Sequence, residues 1–214
     1  MQDICLRINE MEVGMDEIVP DAEAWAIAHD FTPTESEPNG ATPLLREGMM
    51  GIAATSYAGY VLGRDATLYE FSVGSPTVSD AFGGGGVDGS WFTLFLVPID
   101  DPGFRRLTVH PKKQSDRDWW NRLLGRDDVR ETGDVDFDEH HQVIASSDVD
   151  NDRFAELVGS DLISLMNANT DLLVEVERSE QGDAALLVAL PGIGIGDQGL
   201  DRLLAATEHV VGSF

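Results

Sequence analysis

Apolar and polar positions change period along the chain, and the changes mark its elements. Thr67 to Val73 alternates, with Leu68, Glu70 and Ser72 set against Tyr69, Phe71 and Val73, the period of a strand. Ile52 to Leu62, rich in Ala, Thr, Tyr and Val with Gly59 inside it, predicts a second strand with a bulge or kink. Gly63-Arg-Asp joins the two as a hairpin. Trp91 to Ile99 is a dense apolar strand containing Pro98, followed by an Asp100-Asp101-Pro102-Gly103 turn and a short strand over Arg105 to His110. His141 to Ala145, Leu172 to Val176 and Ala184 to Leu190 read as further strands, the last two joined by a turn at 180–182.

A period near 3.6 appears in four places. Asp21 can cap a short helix to His29 that carries Trp25. Ser115 to Leu124 predicts a second short helix, with Trp119, Trp120, Leu123 and Leu124 as its apolar side. Phe154, Leu157, Val158, Leu162, Leu165 and Met166 form one stripe, which predicts a single amphipathic helix after the Ser-Ser-Asp-Val-Asp turn. Leu200, Leu203, Leu204, Thr207 and Val211 place a final helix over 199–211. Strands outnumber helices and most are hairpin-linked. The expected fold is therefore α+β: a mainly antiparallel sheet built from hairpins, with the two long helices of the C-terminal half on one face. One domain over 1–214 is expected, loop-rich at 20–48 and 74–89, with the best candidate boundary near 127–134.

Composition narrows the class. The chain of 214 residues is 42% hydrophobic and 7% aromatic, which suits a folded core. Its longest apolar run, Ala184 to Leu190, is far too short to span a bilayer, and the opening MQDICLRINE has neither the basic start nor the apolar centre of a secretory signal. A lone Cys5 excludes an internal disulfide framework and fits a reducing cytoplasm. Acids outnumber Lys plus Arg by 39 to 14, a net charge of −25, and the only lysines are Lys112 and Lys113. Such a field repels phosphate backbones and anionic membranes. It leaves solubility or a basic protein partner as its meaning. Because the acids are spread along the chain rather than gathered in a tail, solubility is the simpler reading.

The candidate motifs are incomplete. Gly194, Gly196 and Gly199 spell a GxGxxG between strand and helix, but a dinucleotide site needs a βαβ unit with an acid about 20 residues on, and no second strand is expected after Gly199. Gly83 to Gly86 lacks the Lys-Ser/Thr ending of a phosphate loop. Asp134, Asp136, Asp138, Glu139, His140 and His141 are the densest set of possible ligands. On an extended segment the three aspartates would point one way, toward a divalent ion. Neither this run nor Asp148, Asp150 and Asp152 keeps the glycine and terminal glutamate of a calcium loop, and Asp150 or Asn151 reads better as a helix cap. Ser146 and Ser147 lie in a turn without a nucleophile elbow, and the histidines at 29, 110, 140, 141 and 209 are scattered. No catalytic, cofactor or metal residue is therefore assigned. Trp91, Trp119 and Trp120 leave room for an exposed aromatic groove.

The succession of a Trp-bearing N-terminal segment, the hairpin from Ala54 to Phe71, an apolar strand ending near Pro98 and an Asp-x-x-Phe-Asp element at Asp134 to Asp138 resembles a group of uncharacterised soluble proteins of actinobacteria. The resemblance implies a fold and a compartment and no reaction. Two functions stay open: a non-enzymatic cytoplasmic binding or interaction module with a protein partner or a second copy, and a divalent-metal-dependent hydrolase using residues 134–141.

Overall fold

The computed structural model describes residues 22–35, 53–73, 90–112, 128–179, 181–192 and 195–214. The elements run α1 (Ala22–Ala28), β1 (Thr32–Pro33), β2 (Ala53–Val61), β3 (Arg64–Val73), β4 (Ser90–Ile99), β5 (Arg106–Pro111), β6 (Asp128–Arg130), α2 (Val135–His140), β7 (His141–Ala145), α3 (Asn151–Leu157), α4 (Ser160–Ala168), β8 (Leu173–Arg178), β9 (Ala184–Pro191) and α5 (Gly196–Val211). The strands form one nine-stranded sheet in the order β1-β2-β3-β4-β9-β8-β5-β7-β6, and every described pairing is antiparallel. The α+β antiparallel architecture is as expected. The helix expected over 115–124 and the glycine run at 83–86 lie outside the described residues.

Register explains the core. On the helix-covered face an unbroken cross-strand row runs Tyr57, Leu68, Phe95, Val188, Val174, Val109, Val143, all buried. A parallel row runs Val97, Leu186, Val176, Leu107, Ala145. Onto these rows pack Trp25 and Ala26 of α1, Phe137 of α2, Phe154 of α3, Met166 of α4 and the Leu200–Leu203–Val210 stripe of α5. The opposite face is buried too, through Tyr69, Leu94, Leu187, Ala189 and Leu173. Burial on both faces is why β4 and β9 read as continuous apolar runs instead of alternating.

Three expectations need correction. The single stripe from Phe154 to Met166 is two helices, broken where Val158 ends α3 and Gly159 sits at the N-cap of α4 with extended backbone (φ −78°, ψ −178°). The two long helices on one face are thus one 16-residue helix, α5, on β2, β4 and β9, and a shorter broken pair of which α4 lies against α2. The irregularity expected in the strand carrying Gly59 is present, but away from the glycine. The register shift falls between Ala53 and Thr55, and Gly59 is bare because a Cβ there would lie 2.6 Å from the Phe31 ring. The acidic loop holds the edge strand β6 and the helix α2, which interrupts what reads as an extended segment. The β2–β3 hairpin turns on two residues, Leu62 (φ 51°) and Gly63 (φ 78°), the left-handed pair that matches strand twist.

Candidate functional site

The 134–141 segment folds by capping. Asp134 is the N-cap of α2, and its carboxylate accepts the Phe137 N–H at 2.9 Å. Asp138 accepts from the Thr132 N–H (3.0 Å), the Thr132 hydroxyl (3.0 Å) and the Gly133 N–H (3.0 Å). The His140 Nδ1 lies 2.8 Å from the Asp136 carbonyl. His141 turns the other way, into the core, where it stacks on Phe137 at 4.9 Å. The aspartates expected to share one side of a strand are thus distributed around a helix turn. Among the described residues no three His, Cys, Asp or Glu side chains converge as a metal cage.

The other motifs resolve into structure in the same way. Asp150 caps α3 through the Arg153 N–H (2.8 Å), and Asp152 lies in its first turn, facing the helix dipole. The Ser146 hydroxyl accepts the Arg106 N–H (2.9 Å) and donates to Asp148, locking the end of β7 to β5. Gly196 adopts φ +70° and Gly199 leaves room for Ile195, so the described glycines of GxGxxG serve a tight entry into α5. Trp25 is core. Trp119 and Trp120 lie outside the described residues.

Two polar arrangements were not expected. On the second face of the sheet, Arg106 stands opposite Glu177 and Thr108 opposite Glu175, with His110 further along β5, all nearly solvent-free. The Arg106 Nε lies 3.6 Å from the Glu177 Oε2. Alternation along β8, Val-Glu-Val-Glu, carries the signal for this row, but it reads equally as a solvated face. Burial holds the His110 imidazole below its ordinary pKa, opposed by the Pro111 carbonyl and reinforced by His141. Burial likewise lowers His141, helped by the neighbouring charge of His140.

The second arrangement is an open cleft of about 450 Å³ lined by Asp101, Arg105, Asp148, Arg178, Ser179 and Gln181. It lies where three connections meet at one end of the sheet: β4 to β5, β7 to α3, and β8 to β9. Arg178 donates through Nη1 to both Asp101 oxygens (3.0 and 3.1 Å), and its N–H bonds the Arg105 carbonyl (2.8 Å). The Gly103 N–H and the Arg178 guanidinium hold Asp101 below the ordinary carboxylate range. Asp148 receives the Arg105 N–H (2.9 Å) and the Ser146 hydroxyl. The Arg105 guanidinium is exposed and makes no hydrogen bond or ion pair among the described residues. A cleft built of loops on a rigid sheet is the usual seat of binding.

Comparison with protein-family models, curated proteins and solved structures finds no match. Among the described residues no helix is long and apolar enough to cross a membrane.

Proposed function

We propose that the chain is a non-enzymatic cytoplasmic binding module that works through the Arg105–Arg178 cleft. The observation that carries this reading is the contrast between two arginines. Arg178 is fixed by Asp101, while Arg105, held by its main chain between Asp148 and Arg178, leaves its guanidinium unengaged over the same cleft. With its backbone held, Arg105 presents an exposed guanidinium to a ligand, and binding must order only that one side chain. Support for an aromatic groove is lacking, because the one described tryptophan with a placed side chain, Trp25, is core. Nothing in the geometry favours the metal-dependent hydrolase, since Asp134 and Asp138 are committed to main-chain N–H groups.

The reading is tested by amide NMR of the purified chain against a panel of small anionic, cationic and neutral compounds, with native mass spectrometry for any molecule that co-purifies. Saturable shifts at Arg105, Ser179 and Gly182 support it. A panel that leaves those signals unmoved removes the cleft from consideration.

A further inference from the structure

Resting on the binding-module reading, the geometry points to a ligand class: we infer that the Arg105–Arg178 cleft takes a small carboxylate. The argument is a census of hydrogen-bond capacity. Every carboxylate oxygen in the cleft is already engaged. Both Asp101 oxygens receive Arg178, and Oδ1 also receives the Gly103 N–H (2.8 Å). Asp148 receives one donor on each oxygen. What remains over is donors. The Arg105 guanidinium has its full set, and Arg178 keeps the Nε and Nη2 donors that its bonds to Asp101 do not use. Gln181 adds an exposed amide. Ser179 and Gly182 complete the lining. A cleft whose carboxylates are engaged on every oxygen and whose guanidinium donors are left over favours an acceptor, and guanidinium forks match carboxylates in shape.

The chain's charge of −25 does not forbid this. At physiological salt, charges beyond about 8 Å are largely screened, so the ligand feels chiefly the four groups around it. Of the residues lining the cleft, two arginines and two aspartates sum to neutrality. A local sum of zero also favours a singly charged carboxylate over a doubly charged phosphate, which gains the same donors but meets both aspartates with twice the charge.

The test is an amide NMR titration of the full chain with acetate, its neutral isostere acetamide, methylammonium and inorganic phosphate, at matched ionic strength. Acetate is expected to shift Arg105, Ser179 and Gly182 saturably and acetamide far less. Arg105→Gln should weaken acetate about tenfold or more. Arg105→Lys, which keeps charge without the fork, should recover only part of the loss. Arg202→Gln, at a distant ion pair with Asp171, should change nothing. Acetamide matching acetate, or phosphate or methylammonium binding better than acetate, overturns the carboxylate assignment and leaves a binding module. Shifts from none of the four overturn the carboxylate assignment, and the compound panel above decides whether the cleft binds anything else.

Discussion

The Trp25 indole N–H donates to the Asp201 carboxylate at 2.8 Å and joins α1 to α5 across 176 positions of sequence. His29 stacks on the same indole at 4.0 Å, and its Nε2 lies 3.6 Å from the same Asp201 oxygen. Trp25 is buried, so removing its acceptor leaves a shielded donor to be satisfied by whatever water can enter. Asp201 is mostly exposed, which makes water entry easy and keeps the penalty near 1 kcal/mol. Asp201→Ala is expected to lower urea stability by about that amount, and Asp201→Asn, which keeps an acceptor, by less than half as much. An alanine variant as stable as the parent would mean that the bond contributes nothing.

The break between α3 and α4 makes a prediction whose sign distinguishes it from a continuous helix. In a helix interior, Gly→Ala stabilises by about 1 kcal/mol. At an N-cap the order reverses, because Ala offers no side-chain acceptor and Gly ranks well above it. Gly159 is the N-cap of α4 without a side-chain cap bond, and an added Cβ would sit 3.3 Å from the Glu156 carbonyl. Gly159→Ala should therefore destabilise by roughly 0.5–1 kcal/mol, and Gly159→Ser should be neutral or slightly stabilising. Urea denaturation of the two variants decides it.

Local pattern and long-range arrangement were unequally legible. Strands β2, β4, β5, β7, β8 and β9 fall within a residue or two of their expected bounds, since each carries its apolar residues and turn signals within itself, while β3 begins three residues early, at Arg64, because the turn is Leu62-Gly63. The break at Gly159 was hidden because the apolar stripe continues in phase through it. Helix α2 was hidden because Asp134, Asp136 and Asp138 have the spacing of a strand, while the Asp138 bonds to the Thr132 and Gly133 N–H groups depend on the loop folding back. The cleft was the least legible feature. Asp101 and Asp148 sit in turns and Arg178 ends β8, and only the β4-β9-β8-β5-β7 order brings the three to one end of the sheet. No local pattern encodes that order.

Acid should weaken the fold through two imidazoles. His110 and His141 are buried, and burial depresses both pKa values below the unfolded value of about 6.5. Below that value the unfolded chain takes up protons that the folded chain refuses. Their stabilising contribution is thus complete above about pH 7 and falls as pH drops from 6.5 toward the folded values. The slope approaches about 1.4 kcal/mol per pH unit for each histidine. Loss from Asp101, whose pKa is lowered from 3.8, begins only below about pH 4. Urea midpoints between pH 5 and 7.5 should show the fall. In His110→Gln, whatever its absolute stability, the slope should be smaller, by at most one proton. Parallel slopes in parent and variant would remove His110 from the account.

Gly59 offers the strongest steric test of the core. In a strand, glycine costs about 0.5–1 kcal/mol relative to alanine, so Gly59→Ala should stabilise if backbone entropy decided the matter. The packing argues the reverse. A Cβ at Gly59 would lie 2.6–2.8 Å from three atoms of the Phe31 ring. That ring is only 2% exposed and is held between Phe95 at 5.5 Å and Trp25 at 6.3 Å, so it has nowhere to retreat. Overpacking of this kind costs about 1–3 kcal/mol, more than the entropy gained. Gly59→Ala is therefore expected to destabilise by about 1–2 kcal/mol in urea denaturation. Phe31→Leu shortens the obstructing group, so the double variant should be less unstable than the two single losses combined, with a coupling of about 1 kcal/mol. Simple additivity, or a stabilised Gly59→Ala, would show that Phe31 does not occupy the space over Gly59.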